Sequence, residues 1–191
     1  MVEQHPLRPY LPPNSHLLML GSFPPPRTRW SIDFFYPNFI NDMWRIFGLI
    51  FKNDKLYFVD APHKKFKLED IKEILNQKGI AIYDTATKVN RLNNNASDKF
   101  LEIITPTDIA ALLESIPLCT AICATGGKAA EELSLQLNVR VPRAGESTIF
   151  TVNERNMKFY RMPSSSRAYP MSLEKKAMFY RKMFIETRIL P

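Results

Sequence analysis

The chain has 191 residues, 45% hydrophobic and 24% charged, which are the proportions of a globular domain long enough to bury a full core. No apolar run reaches membrane-spanning length and residues 1–16 have no apolar signal core; two cysteines in an apolar segment (Cys119, Cys123) and three scattered histidines (His5, His16, His63) offer no metal-ligand or iron–sulfur spacing. The expectation is a cytoplasmic protein with no cofactor, no metal and no membrane partner, whose formal charge of +7 suits a polyanion, although charge alone raises the odds of nucleic acid only modestly.

Residues 1–16 are rich in proline and polar groups and read as an extended arm over the surface rather than a regular element. The apolar run Leu17–Leu20 is short enough for one buried strand. It breaks at Gly21-Ser22 into a loop with three prolines (Pro24, Pro25, Pro26), an aromatic knot (Trp30, Phe34, Phe35, Tyr36, Phe39) and two asparagines (Asn38, Asn41). Asn41 or Asp42 can cap the helix that follows, with Met43, Trp44, Phe47 and Ile50 facing inward. Residues 52–67 mix charge with one short apolar patch and show no period. Leu68–Gln77 reads as a helix stopped by Gly79, and Ile80–Tyr83 as a strand ending at Asp84-Thr85. Thr87–Asp98, with Asn93, Asn94 and Asn95, reads as a polar loop.

Thr105-Pro106-Thr107-Asp108 looks like a helix start, with a hydroxyl cap, a proline in the first turn and an acid at the third position. Thr120–Ala124 is a third apolar run, and Gly126-Gly127 opens a helix to about Leu137. Thr148–Val152 and Lys158–Met162 flank Asn153–Asn156 as a hairpin. The loop Pro163–Pro170 and a helix over Ser172–Thr187 close the chain. Strands alternating with helices predict an α/β fold: a three-layer α/β/α sandwich around a mainly parallel sheet of roughly four strands. The expected organisation is an N-terminal arm (1–16) and one domain (17–191). Ligands in such sheets bind outside the carboxyl ends of the strands, where Gly21–Asn41, Asp84–Asn95, Thr125–Lys128 and Pro163–Tyr169 can converge.

Tyr36 beside Asn41 pairs a flat ring with a carboxamide, which can stack a nucleobase and hold its polar edge or a water. The plainer reading is that the aromatic residues are core and Asn41 only caps a helix. In Pro163-Ser164-Ser165-Ser166-Arg167, three hydroxyls, free backbone N–H groups and a guanidinium make a phosphate clamp, or an ordinary polar turn. Gly126-Gly127-Lys128 lacks P-loop spacing. Asp33, Asp42, Asp84 and Asp98 show no pairing signature for acid/base work, and Asp84 is the acid expected at the crevice.

The order Gly21-Ser22-Phe23-Pro24, then Tyr36 through Asn41-Asp42-Met43-Trp44, then Gly79–Asp84, then Pro163-Ser164-Ser165-Ser166, resembles the uracil-DNA glycosylase superfamily. Within it the chain is most similar to the hypoxanthine-DNA glycosylase branch and its mismatch-specific relatives. The likeness covers most of residues 17–184. In the uracil-specific enzymes the third residue of the first motif is an acid or amide that activates water, and here it is Phe23. The hypoxanthine branch also lacks that group and uses the asparagine matched by Asn41. Asn38-Phe39-Ile40 replaces the His-Pro pair usual before that asparagine, Met162 stands where a His or Asn is frequent, and two cysteines are too few for the iron–sulfur branches.

The resemblance implies a monofunctional DNA glycosylase that hydrolyses the N-glycosidic bond of a deaminated base, uracil or hypoxanthine, in base-excision repair, associated with the nucleoid when acting on DNA. Asn41 would be the catalytic residue. Phe23, Tyr36 and Asp84 would hold the base, and Ser22, Ser164, Ser165, Ser166 and Arg167 the DNA backbone. The partner would be DNA containing a damaged base. The alternative is a weakly active or inactive member of the same fold that binds nucleic acid or a nucleotide.

Overall fold

The computed structural model describes residues 2–92 and 100–191. Three apolar runs become adjacent parallel strands: β2 (Leu17–Gly21), β5 (Ile80–Asp84) and β8 (Ala121–Thr125) are each buried along their whole length. Burial on both faces is what continuous hydrophobic runs require of a covered parallel sheet. They belong to a five-stranded sheet ordered β5-β2-β8-β10-β9, with β9 (Ser147–Val152) and β10 (Arg155–Met162) completing it. All neighbours are parallel except β9, which returns antiparallel on β10. The count is thus five rather than four, because the hairpin places both of its strands in the same sheet. Its turn residues Asn153 and Glu154 both take positive φ (48° and 60°), as a two-residue hairpin turn demands.

Five helices accompany the strands among the described residues: α1 (Met43–Lys52), α2 (Leu68–Lys78), α3 (Ile109–Glu114), α4 (Gly127–Leu137) and α5 (Leu173–Glu186). The expected inward face of α1 is buried, with Trp44 and Phe47 wholly enclosed. Trp44 satisfies its indole N–H on the Phe35 carbonyl at 3.2 Å. α1 packs on α5 through Phe47 and Phe51 against Phe184, at centroid distances of 5.6 and 5.2 Å. Gly79 ends α2 in the left-handed conformation (φ 62°) that its sequence position predicts.

Four expectations need correction. The N-terminal residues are not simply an irregular arm: Val2–Gln4 forms β1. It pairs antiparallel with β6 (Ala86–Arg91), and β6 pairs with β7 (Leu101–Pro106), so residues 86–91 are a strand and not a loop. Asn93, Asn94 and Asn95 lie outside the described residues. Thr105 and Pro106 finish β7 instead of opening a helix, because the cap is Asp108, whose carboxylate accepts the Ala111 N–H at 3.0 Å. The unplaced stretch 52–67 contains a small hairpin of β3 (Val59–Asp60) and β4 (Lys65–Phe66).

Candidate nucleobase-binding crevice

The carboxyl ends of β2, β5, β8 and β10 open on one crevice of about 570 Å³, within the usual range for small-ligand sites. From β2 the chain passes first to β5 on one side and later to β8 on the other, so this is the point where ligands bind in open parallel sheets. All nine residues expected at a site line it: Ser22, Phe23, Tyr36, Asn41, Asp84, Ser164, Ser165, Ser166 and Arg167. Residues 86–91 are taken out of that convergence by their strand. Gly126-Gly127-Lys128 also stays out of the lining, and Lys128 pairs with Glu132 at 3.0 Å.

The aromatic knot divides. Phe34 and Phe35 are core, at 6% and 2% exposure, whereas Tyr36 is half-buried and forms crevice wall. Tyr36 has φ 48°, a conformation that costs a non-glycine residue roughly 1–2 kcal/mol and is found where surroundings over-determine it. The determinant is the far end of the ring. Its hydroxyl lies 2.8 Å from Thr125 Oγ1, and Thr125 in turn donates to the Leu20 carbonyl at 3.3 Å, so the tyrosine is the donor. Burial first, and the nearby Asp84 charge second, push the phenol well above its ordinary pKa. Tyr36 is therefore neutral, anchored at its tip, and open along its ring.

Asn41 sits between two fixed neighbours. Its Oδ1 accepts the Met43 N–H at 2.9 Å, which sets the amide orientation and leaves Nδ2 without a partner among the described residues. Its carbonyl and that of Phe39 both accept from Arg45 Nη1, at 3.0 and 2.8 Å. Arg45 is buried against the Phe39 and Phe66 rings, and burial lowers its pKa. Asp42 caps nothing with its side chain, so the first turn of α1 is held by Asn41.

The serine loop is built differently from the expected amide cradle. Ser164 Oγ accepts the Ser166 N–H and Ser166 Oγ accepts the Ala168 N–H, both at 3.2 Å. Those two amides are consumed locally, while the hydroxyl protons remain available to donate to a ligand. Arg167 is half-exposed but not free: its Nε binds Asp42 Oδ1 at 3.0 Å. Asp42 Oδ2 meets the enclosed Lys176 at 3.2 Å, and Lys176 also donates to the Ser166 carbonyl at 2.8 Å.

Phe23 turns its ring into a small apolar cluster with Ala86, Val89 and Leu101 while remaining on the crevice wall, and its N–H has no acceptor among the described residues. Asp84 lies opposite Gly21 across the β2–β5 pair. A Cβ at Gly21 would collide with Asp84 Oδ1, so glycine is what lets the carboxylate lie there. Three contributors were not singled out as site residues, although two of them, Arg29 and Thr125, lie in segments expected to converge here. Thr125 and Arg29 line the crevice, and His5 binds Asp84 Oδ2 at 2.8 Å. For Thr125 the signal was its place at the end of an apolar run; for His5 there was none.

No family model matches the chain, and no curated protein matches it in sequence. Among solved structures it is similar to the solution NMR structure of a candidate uracil DNA glycosylase from Methanosarcina acetivorans, at 22% identity and a TM-score of 0.62. The match covers 96% of this chain and 99% of that one, so the two share a fold along nearly their whole length.

Proposed function

We propose that this chain is a DNA glycosylase of the uracil-DNA glycosylase superfamily, closest to its hypoxanthine and mismatch-specific branch, acting on a deaminated base. The observation that carries this reading is the meeting, in one crevice, of an anchored Tyr36 ring, the Asn41 amide and the Ser164–Ser166 hydroxyls. The shared fold with the Methanosarcina protein supports it. Strands buried on both faces support a three-layer arrangement of helices about the sheet.

A base reaches such a crevice only by leaving the duplex stack, at a cost of a few kcal/mol that is least at mismatches. Tyr36 stacks on it. The hydroxyls of Ser22, Ser164, Ser165 and Ser166 and the free end of the Arg167 guanidinium hold the backbone on either side. Breaking the N-glycosidic bond leaves an oxocarbenium-like sugar and a base anion, and the Phe23 amide donates to the base carbonyl as that charge grows. Asn41 has no basic group, so it orients water instead of deprotonating it. To present a lone pair to the sugar, the water donates a hydrogen bond to an acceptor. Oδ1 keeps one lone pair for this after binding Met43. The water adds to an already cationic carbon and then loses one proton, to solvent or to the departing base anion, while its other proton stays on the new hydroxyl.

The engagement of Oδ1 with Met43 also favours a second reading, a base-binding protein of the same fold with little catalysis. Oligonucleotides bearing uracil, hypoxanthine or xanthine, treated with the protein and then alkali, separate the two. Scission at the lesion is expected. Tight lesion binding without scission selects the second reading, and neither outcome overturns both.

A further inference from the structure

The N-terminal segment supplies a side chain to the crevice from behind. His5 places Nε2 2.8 Å from Asp84 Oδ2, with the imidazole 2% exposed and the carboxylate 9%. The ring is enclosed by Tyr83, Phe23 and Phe35 at centroid distances of 4.6, 5.2 and 6.2 Å. Its backbone is fixed as well. The His5 N–H donates to the Thr87 carbonyl at 2.8 Å, and the preceding residue Gln4 is in register with Lys88. The other ring nitrogen lies 3.1 Å from the Leu7 N–H and 2.9 Å from the Leu7 carbonyl. Nε2 donates to Asp84, and Nδ1 has both backbone groups of Leu7 within hydrogen-bond distance, so both ring nitrogens are matched.

The consequence falls on the carboxylate. Oδ2 is committed to His5, and Oδ1 lies over Gly21 on the crevice wall with no partner among the described residues. That acceptor is held in one place, and Phe23, whose N–H has no acceptor among the described residues, lines the same crevice. The Watson–Crick edges of uracil and hypoxanthine offer a carbonyl next to an imino N–H. Cytosine and adenine offer an amino group and a ring nitrogen acceptor at the same two positions, which is the reverse order. A carboxylate free to rotate could swing an oxygen across to accept from an exocyclic amino group. One clamped through Oδ2 cannot.

We infer that His5 is a positioning residue for base selection: it locks Asp84 so that the crevice accepts the imino–carbonyl edge and refuses the amino edge. The inference rests on the glycosylase reading for its physiological ligand, but the selection itself is a binding property that needs no catalysis.

Two substitutions separate the clamp from mere packing. His5→Leu fills the aromatic cage without a donor, and His5→Gln places an amide N–H near where Nε2 stands. The parent and both variants are titrated with free uracil, hypoxanthine, cytosine and adenine by NMR, and base release is measured on lesion-bearing duplexes. The expected parent prefers uracil and hypoxanthine over cytosine and adenine by at least tenfold, His5→Leu loses that preference with its affinity for abasic-site DNA unchanged, and His5→Gln restores most of it. A parent without the preference, a His5→Leu variant that keeps it, or a His5→Gln variant no better than His5→Leu overturns the inference. If no variant or parent releases base yet the preferences follow the expected order, the glycosylase reading fails and the clamp stands. If His5→Leu does not fold, the parent and His5→Gln preferences, with the imidazole ¹⁵N shifts of the parent reporting a proton on Nε2, decide it.

Discussion

Asp42 and Lys176, 134 residues apart, meet as a nearly solvent-free ion pair of 3.2 Å directly beneath the serine loop. Lys176 is enclosed to 1% exposure and spends a second hydrogen bond on the Ser166 carbonyl, so the pair joins the start of α1, the serine loop and α5.

Removing one partner of such a pair strands the other. Lys176→Met should cost about 3 kcal/mol of stability, since breaking a buried pair typically costs about 3–5 kcal/mol and the half-exposed Arg167 still compensates Asp42. Asp42→Asn in the same chain should recover much of that loss. Urea unfolding of the single and double variants checks this, and a Lys176→Met midpoint equal to the parent's would mean that the pair contributes nothing.

Asn41→Ala removes both an acceptor for Met43 and the proposed water acceptor. Loss of the cap should cost about 1 kcal/mol of stability. Base release should fall at least tenfold, about 1.4 kcal/mol in barrier, with DNA affinity largely intact. Asn41→Asp keeps the acceptor to Met43, so its stability should match the parent's and its base release should exceed that of Asn41→Ala. Single-turnover release together with thermal unfolding separates the two losses. Equal release by Asn41→Ala and parent would remove Asn41 from the chemistry.

Tyr36 can be divided in the same way. Tyr36→Phe keeps the ring and loses the donor to Thr125, so it should lower stability by about 1 kcal/mol and leave lesion binding unchanged. Tyr36→Leu loses the ring, and stacking is typically worth about 1–3 kcal/mol per base, so lesion affinity should drop about tenfold or more. Fluorescence titration with lesion duplexes reads this. Equal losses in both variants would show that the hydroxyl, and not the ring face, matters.

Burial raises the Cys119 thiol to about 11 and the Cys123 thiol further still. An acid whose folded pKa lies above its unfolded value retains its proton in the folded state while the unfolded chain has lost it. Stability should therefore be unaffected below about pH 8 and decline as pH rises from about 9 to 11. Urea melts across that range test the sign. A thiol reagent at pH 8 should modify neither cysteine until the chain unfolds.

What the sequence disclosed follows from the range of the interactions. Leu17–Leu20, Ile80–Tyr83 and Thr120–Ala124 are continuous apolar runs, and their burial on both faces reproduces three adjacent parallel strands to within a residue. Gly79 and the hairpin at Asn153–Asn156 were legible because turn residues mark themselves, although the turn is tighter than expected, with β10 starting already at Arg155. The sheet of β1, β6 and β7 was not, since Ala86–Arg91 is too polar to read as a strand without its partners. Asp84 was legible by its place at a strand end, but His5 was not, as its partner is 79 residues away. Lys176 looks like any other solvated lysine of a C-terminal helix, and only the fold brings Asp42 to it.

The crevice also has an order of completion written into its connectivity. Tyr36 and Asn41 come early in the chain, while Ser164, Ser165, Ser166 and Lys176 are all made more than 120 residues later. During synthesis the ring and the amide exist without the Ser164–Ser166 hydroxyls until the end of the chain is made. Contacts of such sequence separation form late because their loops are costly to close. If the proposed function holds, a nascent or truncated copy would lack the serine loop's part of the grip on DNA until the end of the chain is made.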